Sequence, residues 1–342
     1  MNKSAKIIVT GGSGLIGSYL LRKLVDRGYE NLHAIHKHND PLDLVQDFRD
    51  RINWHVADIT DSLVLNDLFD GVETVIHCAG MISFWPKEYK EMFRVNVDGT
   101  ATIVNLCLEH KVSRLIHLSS IEALGREEDN SVISEKTEWK EDTDHTKYAI
   151  SKYLGELEVW RGIAEGLDAI IYNPALVLGA GYWDSGPMKL ITDVYNGLRF
   201  YPQGGIAVVD VRDLVTTISD NLSNTKMYSN RFIVGSHNVK FKNLLDQIAT
   251  NLGVDKPSIV LSGWMASSAI WLEKIKSIFT NSKPLINKET HLVSSQELSY
   301  AFDKISRVYN LVARPLGETI SDTAAIFKTS YAEGKKFGKL DS

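Results

Sequence analysis

The apolar positions in the first half of the chain fall into short unbroken runs, each followed by a stretch where they recur every third or fourth residue. KIIVT (Lys6–Thr10) is the first run, and LIGSYLLRKLVDRG (Leu15–Gly28) the first helical stretch. The runs NLHAIHK, INWHVADIT, ETVIHCAG, SRLIHLSS and DAIIYNPALVLG follow in turn. A long helical stretch, KEYKEMFRVNVDGTATIVNLCLEH, precedes SRLIHLSS, and a second runs from about His145 to Gly166. Continuous apolar strands separated by helices predict a parallel sheet buried on both faces, hence a doubly wound α/β architecture. Its ligand crevice lies at the C-terminal ends of the strands.

The rhythm changes after Pro174. Turn-rich segments (GAGYWDSGP, YPQGG) appear, and the later elements are mostly helical. IAVVDVRDLVTTISDNL reads as a strand leading to a helix and RFIVG as a strand, both returning to the first unit. The expected division is a dinucleotide-type unit of residues 1–173 and 206–235, with a smaller, mostly helical substrate unit of 174–205 and 236–342.

Composition narrows the class. A chain of 342 residues has ample core, and a formal net charge of -5 gives no reason to expect nucleic acid or an anionic membrane as partner. Two cysteines, Cys78 and Cys107, make neither a metal spacing nor a disulfide framework, so no metal is expected. The chain opens on its first strand, which leaves the cytoplasm as the expected compartment. The uncharged stretch Pro257–Leu272 is short for a bilayer span and reads as a buried helix.

Between the first strand and first helix stands GGSGLIG. Gly12, Gly14 and Gly17 fit G-x-G-x-x-G, and Gly11, Gly14 and Gly17 fit G-x-x-G-x-x-G. Glycines there let backbone approach a pyrophosphate, and the helix N-terminus offers free N–H groups and a positive dipole end. Tyr148 and Lys152, in YAISK, share one helix face at i and i+4. A free tyrosine has a pKa of about 10, and a neighbouring cation favours its phenolate. Y-x-x-x-K also occurs at Tyr19/Lys23, Tyr300/Lys304 and Tyr331/Lys335. Only the Tyr148 pair sits on the helix bordering the expected crevice. Ser119 and Ser120 end the preceding strand, where a hydroxyl points into that crevice.

With these residues the chain resembles the extended short-chain dehydrogenases/reductases, the NAD-dependent epimerase/dehydratase family. The resemblance rests on TGGSGLIG (Thr10–Gly17), Ala57–Asp58, HCAG (His77–Gly80), NVDGT (Asn96–Thr100), LSSIEALG (Leu118–Gly125), YAISK (Tyr148–Lys152), NPALVLG (Asn173–Gly179) and DVRD (Asp210–Asp213), in the family's order. The tail Asp303–Thr323 matches its closing pattern. The resemblance implies Tyr148 as general acid/base, Lys152 as ribose ligand and modulator of the tyrosine, and Ser120 as the group orienting the substrate oxygen. It implies cofactor contacts at Gly11, Gly14, Leu15, Ile16, Gly17, Asp58, Ile59, Ala79, Gly80 and Pro174, with Asn96 in support near the lysine. Sugar-nucleotide epimerases usually carry V-Y-G where this chain has Ala123-Leu124-Gly125. Dehydratases usually carry Asp-Glu after the catalytic hydroxyl, where this chain has Ile121-Glu122. SSIEALG is nearer the dihydroflavonol reductase and 3β-hydroxysteroid dehydrogenase branch.

At the second strand's end stand His36, Lys37 and His38, with Asp40 the nearest acid. A cation there accommodates a 2′-phosphate, so NADP is the expected cofactor, with NAD the other option. Met81, Phe84 and Trp85 follow the fourth strand and Tyr182 and Trp183 the sixth. With Trp264 and Trp271 they suggest a pocket for an apolar ring. Arg199 and Arg212 are the candidates for a substrate diphosphate. The leading reading is an NAD(P)-dependent oxidoreductase acting on a carbonyl or alcohol of a small apolar cyclic molecule. A sugar-nucleotide epimerase with retained NAD, and a redox-sensing binding protein without turnover, are the alternatives. A homodimer through helices around 87–110 and 144–166 is a further expectation of the resemblance.

Overall fold

The computed structural model describes residues 2–126, 132–141, 143–261 and 287–340. Trp264 and Trp271, and most of the Pro257–Leu272 stretch, lie outside the described residues. Strands β1 (Lys6–Thr10), β2 (Leu32–His36), β3 (Asn53–Val56), β4 (Val72–His77), β5 (Arg114–Leu118) and β6 (Ala169–Pro174) build the main sheet. The chain continues through β7 (Leu176–Leu178), β8 (Phe200–Tyr201), β9 (Gly205–Asp210), β10 (Asn230–Val234), β11 (His237–Lys240) and β12 (Ile259–Val260). The helices are α1 (Leu15–Asp26), α2 (Ser62–Asn66), α3 (Tyr89–Phe93), α4 (Gly99–Glu109), α5 (Lys147–Ala164), α6 (Lys189–Tyr195), α7 (Val211–Asp220), α8 (Phe241–Leu252), α9 (Lys288–Ser295), α10 (Asp303–Val308) and α11 (Leu316–Ala332).

The main sheet has seven strands in the order β10-β6-β5-β4-β1-β2-β3, all parallel. The strand order reverses between β1 and β4, which opens the crevice of a doubly wound fold there. Alternation along each strand feeds two cores. Ile7, Val9, Ile116 and Tyr172 face α1 and α7, whereas Ile8, Val75, Leu115 and Ile171 face α4 and α5. Both faces are therefore apolar, which is why these strands read as unbroken runs.

Three segments depart from expectation. Asp168–Gly179 is two strands: β6 ends at Pro174 in the main sheet, and β7 joins a three-stranded sheet with β9 and β11. β9, expected back in the main sheet, pairs with β7 and β11, and only β10 returns, beside β6. The long stretch before β5 is also broken. A 3-10 turn at Pro86–Glu88, α3, a π-helical turn at Arg94–Asp98 and α4 follow one another. Among the described residues no helix is long and apolar enough to cross a membrane.

Candidate active site

The cradle beside α1 is built by three glycines. Gly11 has φ +67, and a Cβ there would lie 2.8 Å from the Ala79 backbone. A Cβ at Gly17 would lie 2.2 Å from the Gly11 carbonyl oxygen. Gly14, the N-cap of α1, is exposed, and a Cβ there would meet only the Gly11 carbonyl oxygen, at 3.4 Å. The first-turn N–H groups of Leu15, Ile16 and Gly17 have no intrahelical acceptor and are available to a ligand at this helix end. Both turn and helix end are thus shaped for a pyrophosphate, so the residues fit a dinucleotide. Gly12 instead packs the turn against the sheet, since a Cβ there would meet Ala34 and Leu21.

The floor of the crevice is tied down by polar side chains. Thr10 Oγ1 accepts the Ala79 N–H at 3.1 Å and is hydrogen-bonded to His77 Nδ1 at 2.7 Å. Asn96, in the π-turn, binds both backbone groups of Met81 (2.8 and 2.9 Å) and donates to Ser151 Oγ at 2.9 Å. It thereby joins the loop after β4 to α5. Gly80 lies between: a Cβ there would stand 3.4 Å from Asn96 Oδ1 and 3.7 Å from Lys152 Nζ. Ile59 is buried and packs on Gly99, where a Cβ would sit 2.5 Å from it.

At the other side of the crevice α5 starts at its cap Thr146, whose hydroxyl accepts the Ala149 N–H at 3.0 Å. One turn on come Tyr148 and Lys152. The Tyr148 phenol faces the Ser120 hydroxyl. Burial pushes its pKa up to about 12, the Ser120 hydroxyl opposes this, and the Glu122 carboxyl adds to the rise. The phenol is protonated at neutral pH. Lys152 is buried, and its ammonium donates to the Leu118 carbonyl at 2.8 Å. Burial lowers its pKa to about 8, with Glu156 pulling the other way. In this state the lysine is committed to the end of β5, and desolvation governs the tyrosine.

Behind this pair is a carboxylate that the sequence did not single out. Glu156, one turn beyond Lys152, is fully buried. It accepts from Ser119 Oγ (2.6 Å), Asn173 Nδ2 (2.7 Å), Trp160 Nε1 (3.2 Å) and Arg231 (3.2 Å). Asn173 also donates to the Ser120 carbonyl at 2.9 Å, so the strand carrying Ser120 is braced from behind. The i, i+4, i+8 spacing of Tyr148, Lys152 and Glu156 was the available signal. Pro174, next to Asn173, closes β6 opposite Val234 and is buried.

The roof comes from the loop after β4 and from α9. The Phe84 ring meets the Tyr148 ring edge-on, with centroids 6.0 Å apart. Asn287, the cap of α9, donates to the Phe84 carbonyl at 2.5 Å, and Glu289 accepts the Lys147 N–H at 3.2 Å. Tyr182 and Trp183 are elsewhere. Trp183 is a core residue packed edge-on against Phe327, and Tyr182 donates to the Pro41 carbonyl at 3.0 Å and packs on Phe337. Arg212 is buried in an ion pair with Asp210 (2.7 Å) and reaches Asp322 (2.9 Å), so it clasps α7 to α11. Of the other three Tyr/Lys pairs, Tyr19 binds the Ala180 carbonyl and Leu340 N–H in the core, Tyr300 is buried, and Tyr331 is exposed.

At the C-terminal ends of β2 and β3, Lys37 and Asp58 stand side by side. Asp58 accepts from Arg94 at 2.8 Å and from the Thr60 N–H and hydroxyl. Burial would raise its pKa, but these donors hold it well below the carboxylate range. Lys37 Nζ bonds Glu91 at 3.0 Å and lies 3.6 Å from Asp58. Asp40 turns back, accepting the Lys37 N–H (2.9 Å) and the Ser13 hydroxyl (3.2 Å). Among the described residues no cluster of three or more His, Cys, Asp or Glu could hold a metal ion.

Comparison with known proteins agrees with this geometry. The model of the NAD dependent epimerase/dehydratase family matches residues 7–205. A Synechocystis sp. protein, provisionally designated dihydroflavonol 4-reductase, is 25% identical over 327 residues, 94% of each chain. Cinnamoyl-CoA reductase 2 of Arabidopsis thaliana is 30% identical over 61% of this chain and 66% of its own. The crystal structure of gox2253 superposes with a TM-score of 0.81 at 26% identity, covering 95% of this chain and 98% of that one. The chain belongs to the NAD dependent epimerase/dehydratase family and is an enzyme of the extended short-chain dehydrogenase/reductase type.

Proposed function

We propose that this enzyme is an NADP-preferring reductase or dehydrogenase that interconverts a carbonyl and an alcohol on a small, apolar, cyclic or aromatic-bearing molecule. The observation that carries the proposal is the protonated Tyr148 phenol beside Ser120, on the helix whose Lys152 stands next to Gly80, one residue from the Ala79 backbone that packs on Gly11. The nicotinamide cofactor supplies or accepts the hydride when bound. Gly11, Gly14 and the N–H groups of Leu15, Ile16 and Gly17 would hold its pyrophosphate. Ile59, Ala79, Gly80 and Pro174 would line its path, Asp58 the adenine end, and Lys152 the nicotinamide ribose.

The chain's own part in the chemistry is proton transfer and positioning. Ser120 holds the substrate oxygen, and Tyr148 Oη gives it a proton in reduction or takes it in oxidation. A phenol near 12 is a ready donor to an oxyanion. Oxidation requires the phenolate, which the Lys152 ammonium favours once its bond to Leu118 is exchanged for the bound ribose. Phe84, packed on Tyr148, favours an apolar ring beside the reacting carbon. Arg212, already paired and buried, offers nothing to a substrate diphosphate. The names of the reductase relatives point the same way.

The NADP preference rests on the Lys37 charge at the end of β2, which Glu91 offsets only in part, and on Asp40 being turned toward Ser13. A homodimer through α4 and α5 and a cytoplasmic location complete the proposal. The test is a panel of cyclic and aromatic ketones and aldehydes with NADPH and with NADH. UDP- and dTDP-sugars are followed separately by NMR. Cofactor-dependent reduction of the carbonyls is the expected result. Epimerised sugar without net cofactor consumption would replace this reading with that of an epimerase.

A further inference from the structure

The adenine end holds an ion cluster that the proton-transfer machinery does not use. Four side chains from three elements meet there: Lys37 after β2, Asp58 after β3, and Glu91 and Arg94 on α3 and the turn beyond it. Glu91 is the centre. One oxygen takes the Lys37 ammonium at 3.0 Å, and the Arg94 guanidinium donates to both oxygens at 2.8 Å. Arg94 then reaches Asp58 at 2.8 Å, and Lys37 stands 3.6 Å from the same carboxylate. Two cations and two anions cancel locally, each about a third or more exposed. A further charge, the Asp40 carboxylate, accepts the Lys37 N–H at 2.9 Å.

A 2′-phosphate arriving at the ends of β2 and β3 needs cations with free donors. Here both cations already point at Glu91, and Glu91 itself would repel the phosphate. A 2′-hydroxyl meets no such obstacle. We infer that Glu91 is a specificity-determining residue for the cofactor: by bridging Lys37 and Arg94 it withholds both from a 2′-phosphate and limits the enzyme's preference for NADP over NAD. The inference rests on the dinucleotide reading of the cradle. It assigns the control of the phosphate site to a carboxylate on α3, well away in sequence from the strand end that carries Lys37.

The test is binding, without substrate. NADPH and NADH are titrated by fluorescence, and adenosine 2′,5′-bisphosphate and 5′-AMP by calorimetry, into the wild type, Glu91→Gln, Glu91→Ala and the double variant Lys37→Ala/Glu91→Gln. Thermal melts accompany each titration. Glu91→Gln is expected to tighten NADPH and the bisphosphate about five-fold, the upper range for a charge contact at a part-exposed site. NADH and 5′-AMP should stay within about two-fold, and the gain should fall with added salt. The double variant should lose it. Folded Glu91 variants that bind NADH normally, with an unchanged NADPH/NADH ratio, would overturn the inference. A wild type that binds neither dinucleotide would bring down the dinucleotide reading itself and this inference with it.

Discussion

The two ends of the crevice handle charge in opposite ways. At the Tyr148 end Lys152 is buried and Tyr148 half-buried, and desolvation sets their state: the phenol is pushed up to about 12 and the Lys152 ammonium down to about 8. At the Lys37 end the groups are part-exposed, and partners set their state: Asp58 and Glu91 both lie well below the carboxylate range through bonds to Arg94, Thr60 and Lys37. Burial makes each charge expensive and each hydrogen bond count, so the first end is suited to chemistry. Exposure lets ions cancel cheaply, so the second is suited to selecting a ligand.

The sharpest break of this contrast is Tyr148→Phe. It removes one hydroxyl from the buried end and nothing from the cradle. Turnover should fall by about a thousandfold, within the usual range for a general acid/base, with dinucleotide affinity unchanged. Steady-state rates beside cofactor titration check both halves. Near wild-type turnover in the variant would remove Tyr148 from the mechanism.

Glu156 tests whether the buried end depends on its brace. Four donors converge on that carboxylate, one of them Arg231. Glu156→Ala removes the buried acceptor that Ser119, Asn173, Trp160 and Arg231 share, and with it the counter-charge 3.2 Å from Arg231, and should cost about 3–5 kcal/mol of stability. Glu156→Gln keeps the shape and should lose less. Chemical denaturation of both variants decides, and equal, small losses would show the brace to be dispensable.

How much of this contrast was readable beforehand depends on the distance over which each feature is encoded. TGGSGLIG and YAISK are local: turn, cap and i, i+4 spacing lie within a few residues, and in the fold Gly11 packs on Ala79 while the neighbouring Gly80 stands beside Lys152. Tyr182 and Trp183 were assigned by strand order alone, which cannot tell a pocket wall from a core. Trp183 went to the core because Phe327, far along the chain, supplies its partner. Arg212 looked available in sequence, yet its acceptors are Asp210, two residues away, and Asp322 on α11. β9 misled for a related reason. IAVVDV is as apolar as any strand of the main sheet, but its partners β7 and β11 belong to another. The Glu91 bridge depends on how α3 is set against β2, and no local pattern carries that.

The pH response of the buried end should follow Lys152. Its folded pKa, about 8, lies below that of an exposed lysine. The sign follows: between about 8 and 10 the unfolded chain binds the extra proton, so this group makes the fold more stable as pH rises through that window. Ligand binding should move the other way, because the ammonium that would hold the ribose is lost above about 8. Dinucleotide affinity should therefore weaken from about pH 7 to 9 while thermal stability does not fall on this residue's account. Lys152→Met should flatten the affinity profile. A wild-type affinity independent of pH over that range would separate Lys152 from the cofactor.

The smallest effect is expected at the exposed end, from Lys37→Ala in an otherwise wild-type chain. An unpaired lysine facing a phosphate could contribute more than about 1 kcal/mol, as a charge-assisted contact does. Lys37 is not unpaired: Glu91 holds it at 3.0 Å, and Asp58 lies 3.6 Å away. Its removal takes away a phosphate ligand but also leaves Glu91 bound to Arg94 alone. The NADPH/NADH gap should narrow by less than about 1 kcal/mol, the ordinary worth of an exposed pair. The same substitution made on top of Glu91→Gln should narrow it by more, because there the ammonium is free to meet the phosphate. Comparing the two steps by fluorescence titration gives the coupling between Lys37 and Glu91 directly. Equal steps would mean that the two side chains act independently and that Glu91 does not control what Lys37 offers a phosphate.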